Sequence, residues 1–123
     1  MSTRGRGLVV SRLYLVVSQQ ISMKYQLVLQ WSLPEINFDK LIEIEDLLIQ
    51  RLPGDHEVDG HDFGSGESNI FLLTDDPKTC WENVWRILGA NQIASSMRAA
   101  YRLMTEDDFV ILWPKALSCF EVI

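Results

Sequence analysis

The fold is decided by residues 64–77, GSGESNIFLLTDDP. Gly64-Ser65-Gly66 predicts a tight hairpin connection, because glycine adopts the backbone conformations that such turns require. The continuous apolar run Asn69–Leu73 is typical of a central strand that helices cover on at least one face. Asp75-Asp76-Pro77 then predicts the start of a helix, with an acidic cap before a proline in the first turn. A hairpin whose second strand leads directly into a helix is therefore the centre of the predicted fold.

The sequence before the hairpin predicts one strand and one helix. Apolar and polar residues alternate over 25–31, which is the period of a strand with one buried face, and Pro34 ends it. Asn37 can cap a helix that stops at Pro53-Gly54. Its predicted apolar positions lie three and four residues apart: Phe38, Leu41, Ile42, Leu48, Ile49 and Leu52. Residues 55–63 are polar and extended in character and form the first arm of the hairpin.

After the hairpin, the helix that begins at Asp75-Asp76-Pro77 ends at Gly89. Its predicted buried stripe consists of Trp81, Val84, Trp85 and Leu88. Residues 97–103 alternate and predict a strand that pairs with the apolar run 109–113 as a second hairpin. The alternative for 97–104 is a short helix capped by Ser95 or Ser96, because alanine, arginine, leucine and methionine are good helix formers.

This order of elements predicts an α+β domain of the ferredoxin-like type. A split β-α-β arrangement gives an antiparallel sheet of four to five strands with two helices on one face. We expect a single domain over 23–114 and a C-terminal tail over 115–123. The helix-free face of the sheet must be polar, covered by the tail or buried in a partner, and an apolar face there predicts a homodimer.

Residues 1–22 differ from the rest of the chain. Arg4 and Arg6 followed by apolar residues resemble a signal peptide, but Arg12 splits the apolar run and no small-x-small cleavage site precedes Met23. Because Met23 directly precedes the first predicted strand, we expect it to be the true start. Residues 1–22 are then an upstream extension, either disordered or absent.

Charge and composition exclude several classes of protein. The chain of 123 residues has 47% hydrophobic residues and no apolar run long enough for a membrane span, which argues against disorder and against a membrane protein. The net charge is -6, and from Met23 onward 17 acidic residues outnumber 8 basic ones. Such a surface repels nucleic acid and anionic membranes and favours a basic protein partner or a cation, although acidity also serves solubility.

The two cysteines, Cys80 and Cys119, stand far apart and have no metal-ligand spacing, so we expect no disulfide framework, no zinc site and inert thiols. A chain of this length can fold without such cross-links, which fits a reducing compartment and a cytoplasmic location.

The stretch from Asp59 to Phe71, DGHDFGSGESNIF, followed by Thr74-Asp75-Asp76-Pro77, Tyr101-Arg102 and Leu112-Trp113-Pro114, resembles a family of small uncharacterised bacterial proteins. The resemblance covers about Met23 to Pro114. Small acidic proteins of this fold are also similar in kind to the immunity proteins that neutralise bacterial toxins. This second likeness is an analogy, since a fold does not fix a function.

The densest group of chemically active residues is 55–62, DHEVDGHD, which holds four carboxylates and both histidines. On a regular strand, period two places Asp55, Glu57, Asp59 and His61 on one face. Our first hypothesis is a binding or neutralising module that meets a basic partner. Its contacts would be Asp55, Glu57, Asp59, His61, Asp62 and Glu67. A solvated edge strand that charge protects from edge-to-edge pairing is the structural explanation of the same pattern.

Two other functions remain open from the residues. A ligand-binding dimer or enzyme would use His61 as acid or base together with Asp62. A divalent cation could be held by Asp59, His61 and Asp62 if Gly60 forms a bulge that bends the strand. Arg98 and Arg102, alternate residues on one strand, could instead pair with Glu57 or Asp59 as a structural ion-pair network. Gly64-Ser65-Gly66 matches neither a phosphate loop nor a nucleophile elbow, and no residue pattern predicts a cofactor or a catalytic group.

Overall fold

The computed structural model describes residues 23–123. Its elements, in chain order, are β1 (Tyr25–Ser32), α1 (Phe38–Arg51), β2 (His56–Gly64), β3 (Glu67–Thr74), α2 (Pro77–Leu88), a 3-10 helix (Gln92–Ser96), β4 (Arg98–Leu103) and β5 (Val110–Trp113). The predicted extension over 1–22 lies outside the described residues. No helix within the described part is both long enough and apolar enough to cross a membrane.

The five strands form one antiparallel sheet in the order β2-β3-β1-β4-β5. Helix α1 connects β1 to β2, and β3 lies between these two strands in the sheet. Helix α2 connects β3 to β4, and β1 lies between those two strands. This split β-α-β topology is the one that defines the ferredoxin-like arrangement. The predicted fold class is therefore confirmed, including the strand over 98–103 that competed with a helix.

Both helices pack on the same face of the sheet, and the core lies between them. Alternate residues of β1 and β3 point toward the helices, as the period of a strand requires. Side chains that are fully or almost fully buried there are Leu27, Leu29 and Trp31 of β1, Ile70 and Leu72 of β3, Leu41, Ile44 and Leu48 of α1, and Cys80, Val84 and Leu88 of α2.

Side chains satisfy the first turns of both helices as the sequence predicts. The Asn37 side chain accepts a hydrogen bond from the Lys40 backbone N–H at 2.8 Å. Asp76 accepts one from the Thr79 backbone N–H at 3.1 Å and one from the Thr79 hydroxyl at 2.8 Å. These two bonds, the backbone one first, lower the pKa of Asp76 below its ordinary value of 3.8. The bonds from the Lys40 and Thr79 backbone N–H groups satisfy donors that the helices themselves leave unpaired.

Glycine conformations shape the β2–β3 hairpin at two places. Ser65 and Gly66 both have positive φ, 54° and 87°, which is the requirement of a tight hairpin turn whose twist matches the strands. Within β2 the register with β3 shifts between Val58 and Gly60, and Gly60 has a φ of 131°. The bulge that the sequence suggested at Gly60 is therefore present.

The bulge changes which residues of β2 share a face. His56 and Val58 lie on the helix side, and after the shift His61, opposite Ile70, lies on the helix side as well. Glu57 and Asp62, opposite Leu73 and Asn69, lie on the helix-free side. The predicted single face of Asp55, Glu57, Asp59 and His61 is therefore wrong, because simple alternation does not hold through a bulge.

The C-terminal segment covers part of the helix-free face. The Gln30 side-chain amide donates to the Glu121 carbonyl at 2.8 Å, and the Ile123 backbone N–H donates to Glu67 at 3.0 Å. Phe120 packs against Phe109 with ring centroids 5.0 Å apart. The sequence left three possibilities for this face: polar, covered by the tail, or buried in a partner. Over this part of the sheet, the structure shows coverage by the chain's own tail. The condition for the expected homodimer, an uncovered apolar face, is not met over this part of the sheet.

Three apolar residues differ from their predicted environments. Phe38 and Ile49, assigned to the buried side of α1, are 45% and 59% exposed, and Trp85 of α2 is 37% exposed. Trp31 of β1 is fully buried and donates its indole N–H to the Ile93 carbonyl. The 3-10 helix that supplies this carbonyl was not predicted.

Replacing Gly60 tests the bulge. Gly60→Ala should lower the free energy of unfolding by about 1–3 kcal/mol, because an L side chain is strained at its φ of 131° although no atom lies within 4 Å of the added Cβ. Urea denaturation of the full chain measures the change. Gly54→Ala is the matched control, since Gly54 has equal space and no such φ. Equal effects of the two substitutions would contradict a conformational requirement at Gly60.

The Asp76 cap predicts a pH dependence. A carboxyl whose pKa is lowered on folding contributes stability above its unfolded pKa and loses that contribution as the pH falls through the folded pKa. The unsubstituted chain should therefore have a higher free energy of unfolding than Asp76→Asn. This difference should be constant near neutral pH and shrink below about pH 4. Urea denaturation over a pH series measures it, with the exposed Asp108→Asn as control. An advantage that persists undiminished at pH 2 would show that the charge of Asp76 plays no part.

Candidate functional site

Acidic residues follow the edge strand of the sheet. β2 is hydrogen-bonded only to β3 within the described residues, so its outer side forms one edge. Asp55, Glu57, Asp59 and Asp62 are all exposed on or next to this strand, and we call them the acidic edge. No lysine or arginine of the described chain makes an ion pair with any of the four. Asp55 lies 3.9 Å from the Nε2 atom of the buried His56, whereas Glu57, Asp59 and Asp62 have no ion-pair partner among the described residues.

His61 is held by a buried carboxylate of α1. Its Nδ1 lies 3.0 Å and 3.1 Å from the two carboxylate oxygens of Glu45, whose side chain is only 11% exposed. A histidine oriented by a buried carboxylate is a common arrangement in acid–base sites and also a stable structural pair. Here it fixes β2 to α1 and leaves the ring 32% exposed at the edge.

Two exposed phenylalanines lie near His61: Phe38 packs against its ring, and Phe63 packs against Phe38. The Phe38 ring meets the His61 ring edge-on at 5.9 Å and the Phe63 ring at 5.3 Å between centroids. Phe38 is 45% exposed and Phe63 is 39% exposed. Aromatic rings packed against one another and still accessible are the type of group that is enriched at the centres of protein interfaces.

A groove runs between α1 and the first half of β2. Its volume is about 360 Å³. It is lined by Leu48, Ile49 and Leu52 of α1, by Gly54, and by His56, Glu57 and Val58 of β2. The helix side of the groove is apolar, whereas Glu57 belongs to the acidic edge. The groove therefore offers apolar contacts along α1 and a carboxylate at the strand edge.

His56 and Glu67 do not contribute to an accessible site. His56 is buried, and its Nδ1 lies 2.8 Å from the Thr74 hydroxyl. Glu67, which we expected to contact a partner, is 8% exposed and accepts hydrogen bonds from Gln30, Asn69 and the Ile123 backbone. Its position beneath the C-terminal segment makes it part of the polar interior and removes it from the predicted contact set.

The predicted cation ligands do not converge. His61 lies on the helix side of β2 and Asp62 on the helix-free side, and Asp59 is the unpaired residue of the bulge. Among residues 23–123, no group of three histidine, cysteine, aspartate or glutamate side chains is placed to hold a metal ion. A site built from Asp59, His61 and Asp62 is thus a prediction that the geometry contradicts, because the bend at Gly60 separates the ligands.

Arg98 and Arg102 share one face of β4, as predicted; it is the helix-free face, and both arginines pair with other groups. Arg98 donates to Gln30 and Ser32 and lies 3.6 Å from Glu35. Arg102 donates to the Gln26 side chain at 3.0 Å. Two strands, β1 and β3, separate β4 from β2, so a network with Glu57 or Asp59 is impossible in this sheet.

Neither cysteine belongs to the site. Burial, and then the nearby charge of Asp55 and Asp76, raises the pKa of the Cys80 thiol to about 12. The thiol is therefore protonated at neutral pH and unreactive. Cys119 is exposed in the C-terminal segment and forms no disulfide with Cys80.

Sequence reasoning missed two contributors to the site, Glu45 and Phe38. Glu45 follows Leu41 by four residues and precedes Leu48 by three, so helical spacing places it on the buried side of α1. A charged residue at such a position requires a partner, and His61 was one of only two histidines available. Phe38 was assigned to the core because apolar periodicity cannot distinguish a buried ring from one at the rim.

Comparison of the chain with protein-family models, with curated proteins and with solved structures gave no match. The resemblance to a small bacterial family therefore stays a prediction.

A double-mutant cycle tests the Glu45–His61 pair. His61→Ala should cost about 1–3 kcal/mol of unfolding free energy, because it leaves a buried carboxylate without its partner. In the His61→Ala background, Glu45→Ala should lower the free energy of unfolding by less than it does in the unsubstituted protein. The difference, which is the coupling energy, should be at least about 0.5 kcal/mol. Urea denaturation of the four proteins gives this coupling. The exposed Glu43→Ala serves as control, and purely additive effects of Glu45→Ala and His61→Ala would mean that the contact contributes no stability.

Proposed function

We propose that the chain is a small acidic binding module that docks a basic protein partner at the β2 side of the sheet. The observation that carries the proposal is the acidic edge: Glu57, Asp59 and Asp62 are exposed and form no ion pair with a described lysine or arginine. Carboxylates that serve the fold are paired or buried, as Glu45 and Glu67 are. Carboxylates without such partners can interact with a partner's basic groups at no cost to the fold.

The overall charge supports the same class of partner. A chain that carries 17 acidic and 8 basic residues from Met23 onward attracts basic proteins over distance and repels phosphate backbones. Such attraction raises the association rate and weakens as salt is added. We therefore propose a protein partner and neither nucleic acid nor an anionic membrane.

Phe38 and Phe63 provide apolar contact next to these charges. Affinity at protein interfaces is concentrated in a few well-packed groups, often aromatic, while surrounding charges steer and align the partner. An arginine of the partner can also lie over an exposed ring in a cation–π contact. The combination of accessible rings and free carboxylates favours arginine-rich contacts over a small ligand.

The alternative, an enzyme that uses His61 with Asp62, has less support from the geometry. The two side chains lie on opposite faces of β2, and His61 is paired with Glu45. Neutralisation of a toxin, as immunity proteins perform it, is one biological use of an acidic docking surface and belongs to the proposal only as an analogy.

Charge reversal tests the docking surface. Full-length chain is immobilised and exposed at low and moderate salt to lysate of its native host, and the recovered proteins are identified by mass spectrometry. We expect a basic protein in stoichiometric amount, released by salt, whose recovery falls at least tenfold with Asp59→Lys/Asp62→Lys. These two residues are exposed, so their reversal should leave the fold intact.

The matched control is Asp107→Lys/Asp108→Lys. It changes the net charge equally in the exposed loop between β4 and β5, at the other end of the strand order. Recovery unchanged in this control would locate the interaction at the acidic edge. If both double variants lose the partner equally, binding follows net charge alone and the proposed surface is wrong.

A further inference from the structure

We propose that the partner binds the β2 edge as an added β-strand whose side chains alternate between basic and apolar. This inference rests on the proposed function and specifies how the partner is recognised. The occupant is an extended segment of the basic protein, lying along the outer side of β2 with α1 on one side. Three features of the described chain converge on this mode of binding.

The first feature is the free backbone of β2. The strand is nine residues long, and within residues 23–123 it pairs with β3 along one side only. Beyond this pairing, its one backbone hydrogen bond within the described residues runs from the His56 N–H to the Pro53 carbonyl. The outward-facing N–H and C=O groups of such an edge are a template for another strand.

The second feature is the groove between β2 and α1. Its apolar lining from Leu48, Ile49, Leu52 and Val58 lies directly beside the strand edge, where Glu57 and the buried His56 also line it. Ile49 is 59% exposed, so an added strand would cover apolar surface that the fold leaves in water. Every second side chain of that strand would point to this side.

The third feature is the charge on the opposite side. Glu57 and Asp62 lie on the helix-free side of β2, exposed and without described basic partners. The remaining side chains of an added strand would face them, and lysine or arginine there forms favourable cross-strand pairs. The two sides of the edge therefore select one pattern: apolar toward α1 and basic toward the carboxylates.

A second copy of the chain does not fit this pattern. Pairing of β2 with β2 would bring Glu57, Asp59 and Asp62 of one copy close to the same carboxylates of the other. Like charges opposite one another destabilise a strand pair. Charge therefore disfavours pairing of β2 with a second β2 and favours pairing with a basic strand.

The test uses a defined probe in place of the unidentified partner. The probe is a nine-residue peptide of alternating lysine and valine with both ends blocked, added to the full-length chain at low salt. Its matched analogue is methylated at every backbone amide nitrogen, which keeps the charges and removes the hydrogen-bond donors. We expect the parent peptide to slow hydrogen exchange within 56–64 and to bind at least tenfold more tightly than the analogue.

A pair of protein variants tests the groove. Ile49→Asn should weaken binding of the parent peptide by about fivefold or more, because apolar contact with the alternate valines is lost. Val110→Asn is the matched control, since Val110 is 52% exposed on β5 at the opposite edge, and it should leave binding unchanged.

The outcomes separate this inference from the proposed function. If parent and methylated peptides bind equally and 56–64 is not protected, strand addition is wrong even where charge reversal abolishes capture of the basic protein. If the parent peptide does not bind, or the chain instead dimerises through 56–64, strand addition is also wrong. Capture that is insensitive to Asp59→Lys/Asp62→Lys refutes the proposed function independently of the peptide.

Discussion

The register shift at Gly60 determines where every later side chain of β2 lies. Without it, simple alternation would place His61 on the helix-free side and Asp62 beneath α1, where a carboxylate would be buried next to Glu45. With it, His61 meets Glu45 and Asp62 faces solvent. A single residue with a φ of 131° thus separates the buried pair from the exposed charge. The contact of His61 with Glu45, its contact with Phe38 and the exposure of Asp62 all depend on this one backbone conformation.

Folding divides the carboxylates of this region into two groups. Glu45 and Glu67 are buried, and each is satisfied by specific donors: His61 in one case, and Gln30, Asn69 and the Ile123 backbone in the other. A buried carboxylate without such donors would be strongly destabilising. The residues of the acidic edge have no such partners within the described chain and remain in water. Helical spacing from Leu41 and Leu48 places Glu45 on the buried side of α1, whereas the burial of Glu67 depends on a segment 56 residues away in sequence and no local pattern indicates it.

Features that depend on residues close in sequence were predicted correctly, and features that depend on residues distant in sequence were not. Local patterns identified every strand, both long helices and the caps Asn37 and Asp76, because alternation and capping depend on neighbours in sequence. The split β-α-β order then gave the topology. Exposure of Phe38 and Ile49 was not predicted, since it depends on how far α1 extends beyond the sheet. The Glu45–His61 contact joins residues 16 apart, and only the bulge brings them to the same side.

The position of the C-terminal segment explains why the β2 side is the favoured surface. Ferredoxin-like domains offer two edges and one helix-free face. Here the helix-free face is covered over Gln30 and Glu67 by residues up to Ile123. The β5 edge is only four residues long and has its own register shift against β4. β2 is more than twice that length and has a groove on one side and free carboxylates on the other. A stable interface requires both continuous contact and charge complementarity. Of these three surfaces, the β2 edge is the one that provides both.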